Sequence, residues 1–223
     1  MLYDRWRQIA REYSAEIALC DVPSGRAWTF AELAREGEAH GADEPLCFPR
    51  GNSAGFVLDV VRAWRDGRIV CPLESAQSIP AFPKPPSGVV HLKATSATTG
   101  APKLVAFTAA QLAADAENIV STMGLRRDWP NLGVVSFAHS YGFSNLITPL
   151  LLHGVPLIIG GAALPEAVRR AAAGVPAITL AGVPALWCAW HDANGIPENV
   201  RLAISAGAPL PLALEKQVFA ERG

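Results

Sequence analysis

The chain is poor in the features that announce several common function classes. Its 19 Lys and Arg nearly balance 20 Asp and Glu, leaving a net charge of −1. It therefore carries no electrostatic footprint for a polyanion, and nucleic acid is not an expected partner. Cysteine is scarce: Cys20, Cys47, Cys71 and Cys188 are widely spaced and form no Cys-x-x-Cys pair. That removes the usual zinc and disulfide frameworks and leaves reduced, buried thiols of a cytoplasmic protein as the expectation. No apolar run reaches membrane-spanning length, and the longest, Leu146 to Ile159, is broken by His153, Gly154 and Pro156. Met1 to Tyr13 alternates charges with Trp6 and Ile9, unlike a targeting leader. No Gly-x-Gly-x-x-Gly follows an expected strand, which sets aside a dinucleotide-binding oxidoreductase.

What is present is apolar and regularly punctuated. With 50% hydrophobic residues in 223, the chain has material for a well-buried core. Ile17–Cys20 and Ala27–Trp28 flank a Pro23-Ser24-Gly25 turn, a hairpin signal. Thr29 with Glu32, and Thr108 with Gln111, have the capping-box spacing that starts a helix. Leu46–Phe48, a helix from about Ser53 to Asp66 and Ile69–Cys71 read as a βαβ unit. Further strands are expected at Val134–Phe137, Leu157–Ile159, Ile178–Leu180 and Leu202–Ile204, separated by apolar helices. Such alternation predicts an α/β fold with a doubly wound, mainly parallel sheet and a smaller N-terminal α/β part. The boundary is expected in a Pro-rich connector, giving parts 1–74 and 88–223 joined by 75–87. Ligands of such sheets bind outside the carboxyl ends of the strands, where His139, Gly182–Pro184 and Ser205–Gly207 would gather.

Between the expected strands Gly88–Leu92 and Leu104–Phe107 lies Thr95-Ser96-Ala97-Thr98-Thr99-Gly100-Ala101-Pro102-Lys103. Its hydroxyls and amides can each give a phosphate oxygen a donor, its glycine lets the backbone approach, and Lys103 adds a point charge. The spacing is not that of a Walker A loop, because Ala101-Pro102 separates Gly100 from Lys103. A Ser/Thr-rich surface turn has the same composition, so the order of the other motifs decides between the two.

That order resembles the adenylate-forming superfamily of acyl- and aryl-CoA synthetases, luciferases and peptide-synthetase adenylation domains. The loop is similar to the family's Thr-Ser-Gly-Thr-Thr-Gly-x-Pro-Lys, with Ala97 in place of a glycine. Phe137-Ala138-His139-Ser140-Tyr141-Gly142 resembles its Phe-His-x-x-Gly segment, and Ser205-Ala206-Gly207-Ala208-Pro209-Leu210 its Gly-Ala-Pro-Leu turn. Arg26 to Leu33 and Cys71-Pro72-Leu73 resemble earlier family segments, so the likeness covers nearly the whole chain. It implies ATP phosphate contacts from Thr95, Ser96, Thr98, Thr99, Gly100 and Lys103, and an acyl pocket or gate at His139, Tyr141 and Gly142. It also implies an adenine and acyl turn at Ala206, Gly207, Ala208 and Pro209.

The implied activity is ATP-dependent activation of a small carboxylic acid, then thioester formation on CoA or a carrier-protein phosphopantetheine, with Mg²⁺ serving the complete enzyme. The resemblance further implies an N-terminal portion, because the family's acidic adenylate motif and mobile C-terminal portion fall after Gly223. No catalytic residue and no metal ligand is therefore assigned in the fragment, which is expected to be inactive by itself. The alternative is a non-catalytic module of the same fold that binds a nucleotide, an acyl group or a partner. An α/β-hydrolase reading of Ala203-Ile204-Ser205-Ala206-Gly207 fails on chain order, since no histidine follows Ser205.

Overall fold

The computed structural model describes residues 1–39, 43–79, 87–94 and 104–222. The chain opens with α1 (Leu2–Glu12), the hairpin β1 (Ile17–Asp21) and β2 (Arg26–Thr29), and α2 (Phe30–Gly37). A βαβ unit follows, β3 (Leu46–Cys47), α3 (Ala54–Arg65) and β4 (Ile69–Val70), then the hairpin β5 (Val89–Ala94) and β6 (Leu104–Thr108). Next come α4 (Ala109–Met123), β7 (Asn131–Gly133), the short α5 (Ser140–Gly142), a π-helical segment Phe143–Ile147 and α6 (Thr148–His153). The remainder is β8 (Leu157–Ile159), α7 (Pro165–Ala172), β9 (Ile178–Gly182), α8 (Pro184–Asp192), β10 (Val200–Ser205) and α9 (Leu212–Arg222). Among the described residues no helix is long and apolar enough to cross a membrane.

Both expected capping boxes form. The Thr29 hydroxyl accepts from the Glu32 amide at 3.2 Å while the Glu32 carboxylate accepts from the Thr29 amide at 2.8 Å. Thr108 and Gln111 exchange the same pair of bonds at 3.3 and 2.9 Å. Two orphan donors are thereby satisfied at each helix start. α4 stops at Gly124, whose φ of 69° is the left-handed conformation that a glycine adopts without a Cβ penalty.

The strands form two sheets. The larger has the order β10-β9-β7-β8-β1-β2, parallel except for β2, and the smaller has β3-β4-β5-β6, parallel except for β6. The larger sheet is covered on both faces. Leu157 and Ile159 face one core with Phe143, Leu146 and Leu150, while Leu132, Ile158 and Leu180 face another with Val168, Trp187 and Trp190. This alternation along β8 is the period of two that a doubly wound sheet requires.

The larger sheet takes β1 and β2 from residues 17–29 and the smaller takes β5 and β6 from residues 89–108. One core joins Trp6, Phe30 and Val60 to Leu112 and Leu150. The apolar β1 finds its edge on β8, with Leu19 opposite Leu157; the expected connector is the segment 75–87. Residues 80–86 of that segment lie outside the described residues. The strand expected at Val134–Phe137 is instead Asn131–Gly133. Val134 and Val135 are buried in opposite cores, giving a strand-like alternation, but their backbone has already left the ladder.

Candidate functional site

β7 lies between β8 and β9, and the chain leaves it for α5 and α6 on one face and leaves β9 for α8 on the other. The crevice between the carboxyl ends of β7 and β9 is therefore the topological switch point, the place where open α/β sheets bind ligands. The loop Val134–His139 forms its rim and is held from three sides. The Asn52 amide donates to Val135 O and accepts from the Phe137 amide, both at 2.9 Å, supplying the pair of bonds that a neighbouring strand would have made. Glu74 Oε1 accepts from the Ser136 hydroxyl at 2.5 Å and lies 3.2 Å from His139 Nε2. Gly142 packs so closely under the loop that an added Cβ would lie 2.0 Å from Ser136 O.

This framework places His139 and Tyr141 at the crevice. His139 is 70% exposed and bound on one side to Glu74, so its ring is presented to solvent at the mouth. Tyr141 reaches inward, its hydroxyl donating to Gly182 O at 3.2 Å and Ile204 O at 3.4 Å. Gly182 ends β9 and Ile204 lies one residue before the end of β10, so one side chain ties the rim to both strands. Burial pushes the Tyr141 phenol up to about 12, which keeps it a neutral donor.

The turn after β10 closes the same side. Ala206 N donates to Gly182 O at 3.2 Å, drawing the turn against the end of β9. Gly207 has φ +93°, a conformation that an L side chain rarely adopts. Ala208 and Pro209 follow, exposed. Trp187 Nε1 donates to Ile204 O at 3.1 Å while its ring packs on Trp190 with centroids 5.1 Å apart. Trp187 thus belongs to the apolar layer behind the turn. Of the expected site residues, Tyr141 and Ala206 meet at Gly182 O, and His139, Gly142 and Gly207 lie next to them along the chain.

Thr95, Ser96, Thr98, Thr99, Gly100 and Lys103 lie outside the described residues. The strands that flank them are described. Near the end of β5, Lys93 Nζ donates to Ser144 Oγ at 3.0 Å, and Ser144 Oγ donates to Asp115 Oδ2 at 2.6 Å. Lys93 also lies 4.8 Å above the Phe107 ring, and burial holds its ammonium below the ordinary lysine range. Lys93, next to the last residue of β5, therefore lies beside the π-helical segment that follows Tyr141 and Gly142. Among the described residues there is no group of three His, Cys, Asp or Glu that could hold a metal ion. Asn52, Glu74 and the Lys93–Ser144–Asp115 chain were invisible to motif reading. Only Asn52 has a local cue, its place before Ser53, the N-cap of α3.

Comparison with known proteins identifies the fold. An inhibitor-bound N-terminal domain of FACL13 from Mycobacterium tuberculosis superposes with a TM-score of 0.84 at 18% identity, over 99% of this chain and 73% of that one. An o-succinylbenzoate CoA synthetase from Bacillus subtilis, bound to the product analogue OSB-NCoA, superposes with a TM-score of 0.80 at 18% identity, over 97% of this chain and 56% of that one. Apo MbtA from Mycobacterium smegmatis gives a TM-score of 0.80 at 19% identity, over 99% of this chain and 54% of that one. The chain thus spans little more than half the length of two of these proteins, and at such identities the likeness establishes the fold. No curated protein sequence matches significantly. The family model described as AMP-binding enzyme matches residues 58–223, and the chain belongs to that family.

Proposed function

We propose that this chain is the nucleotide- and acid-binding portion of an ATP-dependent carboxylate-activating ligase. The substrate carboxylate attacks the ATP α-phosphorus, the bond to the bridging oxygen breaks, and pyrophosphate leaves with that electron pair. The resulting acyl-adenylate then passes its acyl group to the thiol of CoA or a carrier-protein phosphopantetheine, releasing AMP. Thr95, Ser96, Thr98, Thr99, Gly100 and Lys103 hold the β- and γ-phosphates, an electrostatic role for preorganised donors. Ala206, Gly207, Ala208 and Pro209 present the turn to adenine, and His139, Tyr141 and Gly142 wall the acid.

The observation that carries the reading is the Tyr141 hydroxyl bridging Gly182 O and Ile204 O, which gathers three chain segments of one expected site at the switch point. Carboxylate-dependent ATP–pyrophosphate exchange by the whole protein tests it, across a panel of short aliphatic, long aliphatic and aromatic acids. Exchange stimulated at least tenfold by one class supports the reading. Nucleotide binding without exchange from any acid would instead support the second reading, a non-catalytic module. Ala97 favours that alternative, since it puts a Cβ where the family's loop has glycine.

A further inference from the structure

Residues 50–52 make an unusual number of long-range polar contacts for so short a stretch. Arg50 Nη1 donates to Glu74 O and Gln77 O at 2.7 Å each and to Ser75 O at 3.3 Å. The Gln77 side chain accepts from the Glu74 amide at 3.2 Å, so the stretch after β4 is folded around the guanidinium. This fixes the backbone of Glu74, whose carboxylate meets Ser136 and His139. Two residues after Arg50, Asn52 holds the main chain of Val135 and Phe137, flanking that same Ser136. Gly51 between them has φ +71°, and its left-handed turn lets the neighbouring side chains serve different segments. Phe56, on the first turn of α3, packs its ring edge-on to Phe137 with centroids 5.5 Å apart.

We propose that Asn52 is the positioning residue of the His139 loop, with Glu74, held by Arg50, as its partner on the side-chain side. The function of the pair is to hold an exposed imidazole in one place. His139 has 70% of its side chain in solvent, so packing alone does not orient it. Its direction is set by the loop backbone, which Asn52 grips on either side of Ser136, and by the carboxylate at 3.2 Å. An amide suits this work because it donates and accepts at once, as the main chain of a neighbouring strand does. The smaller sheet is thereby coupled to the rim of the larger one. This inference rests on the reading of His139 as an acid-side residue but is tested without any ligand.

The test is amide hydrogen exchange and histidine side-chain NMR on the full 223-residue chain. Wild type is compared with Asn52→Ala, Asn52→Asp, Glu74→Ala and, as a distant destabilised control, Leu214→Ala. Asn52→Ala should speed exchange of the Phe137 amide at least tenfold and shift the His139 ring resonances. Asn52→Asp should restore Phe137 protection, because a carboxylate oxygen still accepts that bond. Glu74→Ala should move the His139 resonances and leave Phe137 protected. Phe137 and His139 unchanged in Asn52→Ala, or moved equally by the control, would overturn the assignment. AMP titration of the same samples reports on the adenylate reading separately.

Discussion

Gly142 and His91 show how single positions constrain this molecule. At Gly142 a Cβ would sit 2.0 Å from a backbone oxygen, which has no flexible end to move aside. Gly142→Ala should therefore force Ser136 and its loop outward and cost about 3 kcal/mol or more, measurable by chemical denaturation. A cost below about 1 kcal/mol would contradict the close approach. His91 is fully buried, its ring 4.3 Å from that of Phe143, and among the described residues neither ring nitrogen has a hydrogen-bond partner. Burial, aided by the charge of Lys93, brings its imidazole down to about 3. Below the ordinary histidine value near 6.5, the unfolded chain takes up a proton that the folded chain refuses. Stability therefore falls by about 1.4 kcal/mol per pH unit between those two values. His91→Leu should leave stability within about 1 kcal/mol at pH 7 and remove this acid-side loss. Denaturation at about pH 7 and pH 4.5 checks it, and a difference between the two proteins that does not change with pH would count against the mechanism.

At the scale of elements, α9 offers a contrast between two apolar residues of one helix. Leu214 is 7% exposed and seated against the core behind β10, whereas Phe219 is 74% exposed. Leu214→Ala should cost about 2–4 kcal/mol and Phe219→Ser less than about 0.5 kcal/mol, a difference that thermal or chemical unfolding resolves. Equal effects would mean that the helix docks differently. Elements signalled within a few residues were legible in the sequence: the Thr29 and Thr108 capping boxes, the hairpin around Ser24 and the βαβ unit of residues 46–70. The misplaced strand shows the limit of periodicity. Val134 and Val135 alternate between two cores, yet the ladder partner at that level is the amide of Asn52, which no local pattern announces. The docking of β1 on β8 was equally hidden, because Leu19 finds Leu157 through a shared apolar edge and not through spacing. At the candidate site, His139, Tyr141 and the 206–209 turn were readable as motifs. Glu74, Asn52 and the Lys93–Ser144–Asp115 chain were not, because each acts through a contact distant in sequence.

Across the whole molecule, the rim loop and the turn after β10 gather at one end of the central strands. The Tyr141 bridge and the Ala206 amide on Gly182 O meet at the switch-point crevice. Under the proposed function this crevice holds a nucleotide, with the 206–209 turn at its base end and Lys103 at its phosphate end. Paired equilibrium titrations with AMP and with ATP test it most directly, on wild type, Gly207→Val and Lys103→Ala. Wild type should bind both nucleotides saturably. Gly207→Val should weaken both at least tenfold, while Lys103→Ala should weaken ATP at least tenfold and leave AMP within about twofold, since only ATP carries the β- and γ-phosphates. Absence of binding to wild type, or equal loss of AMP and ATP in Lys103→Ala, would contradict it.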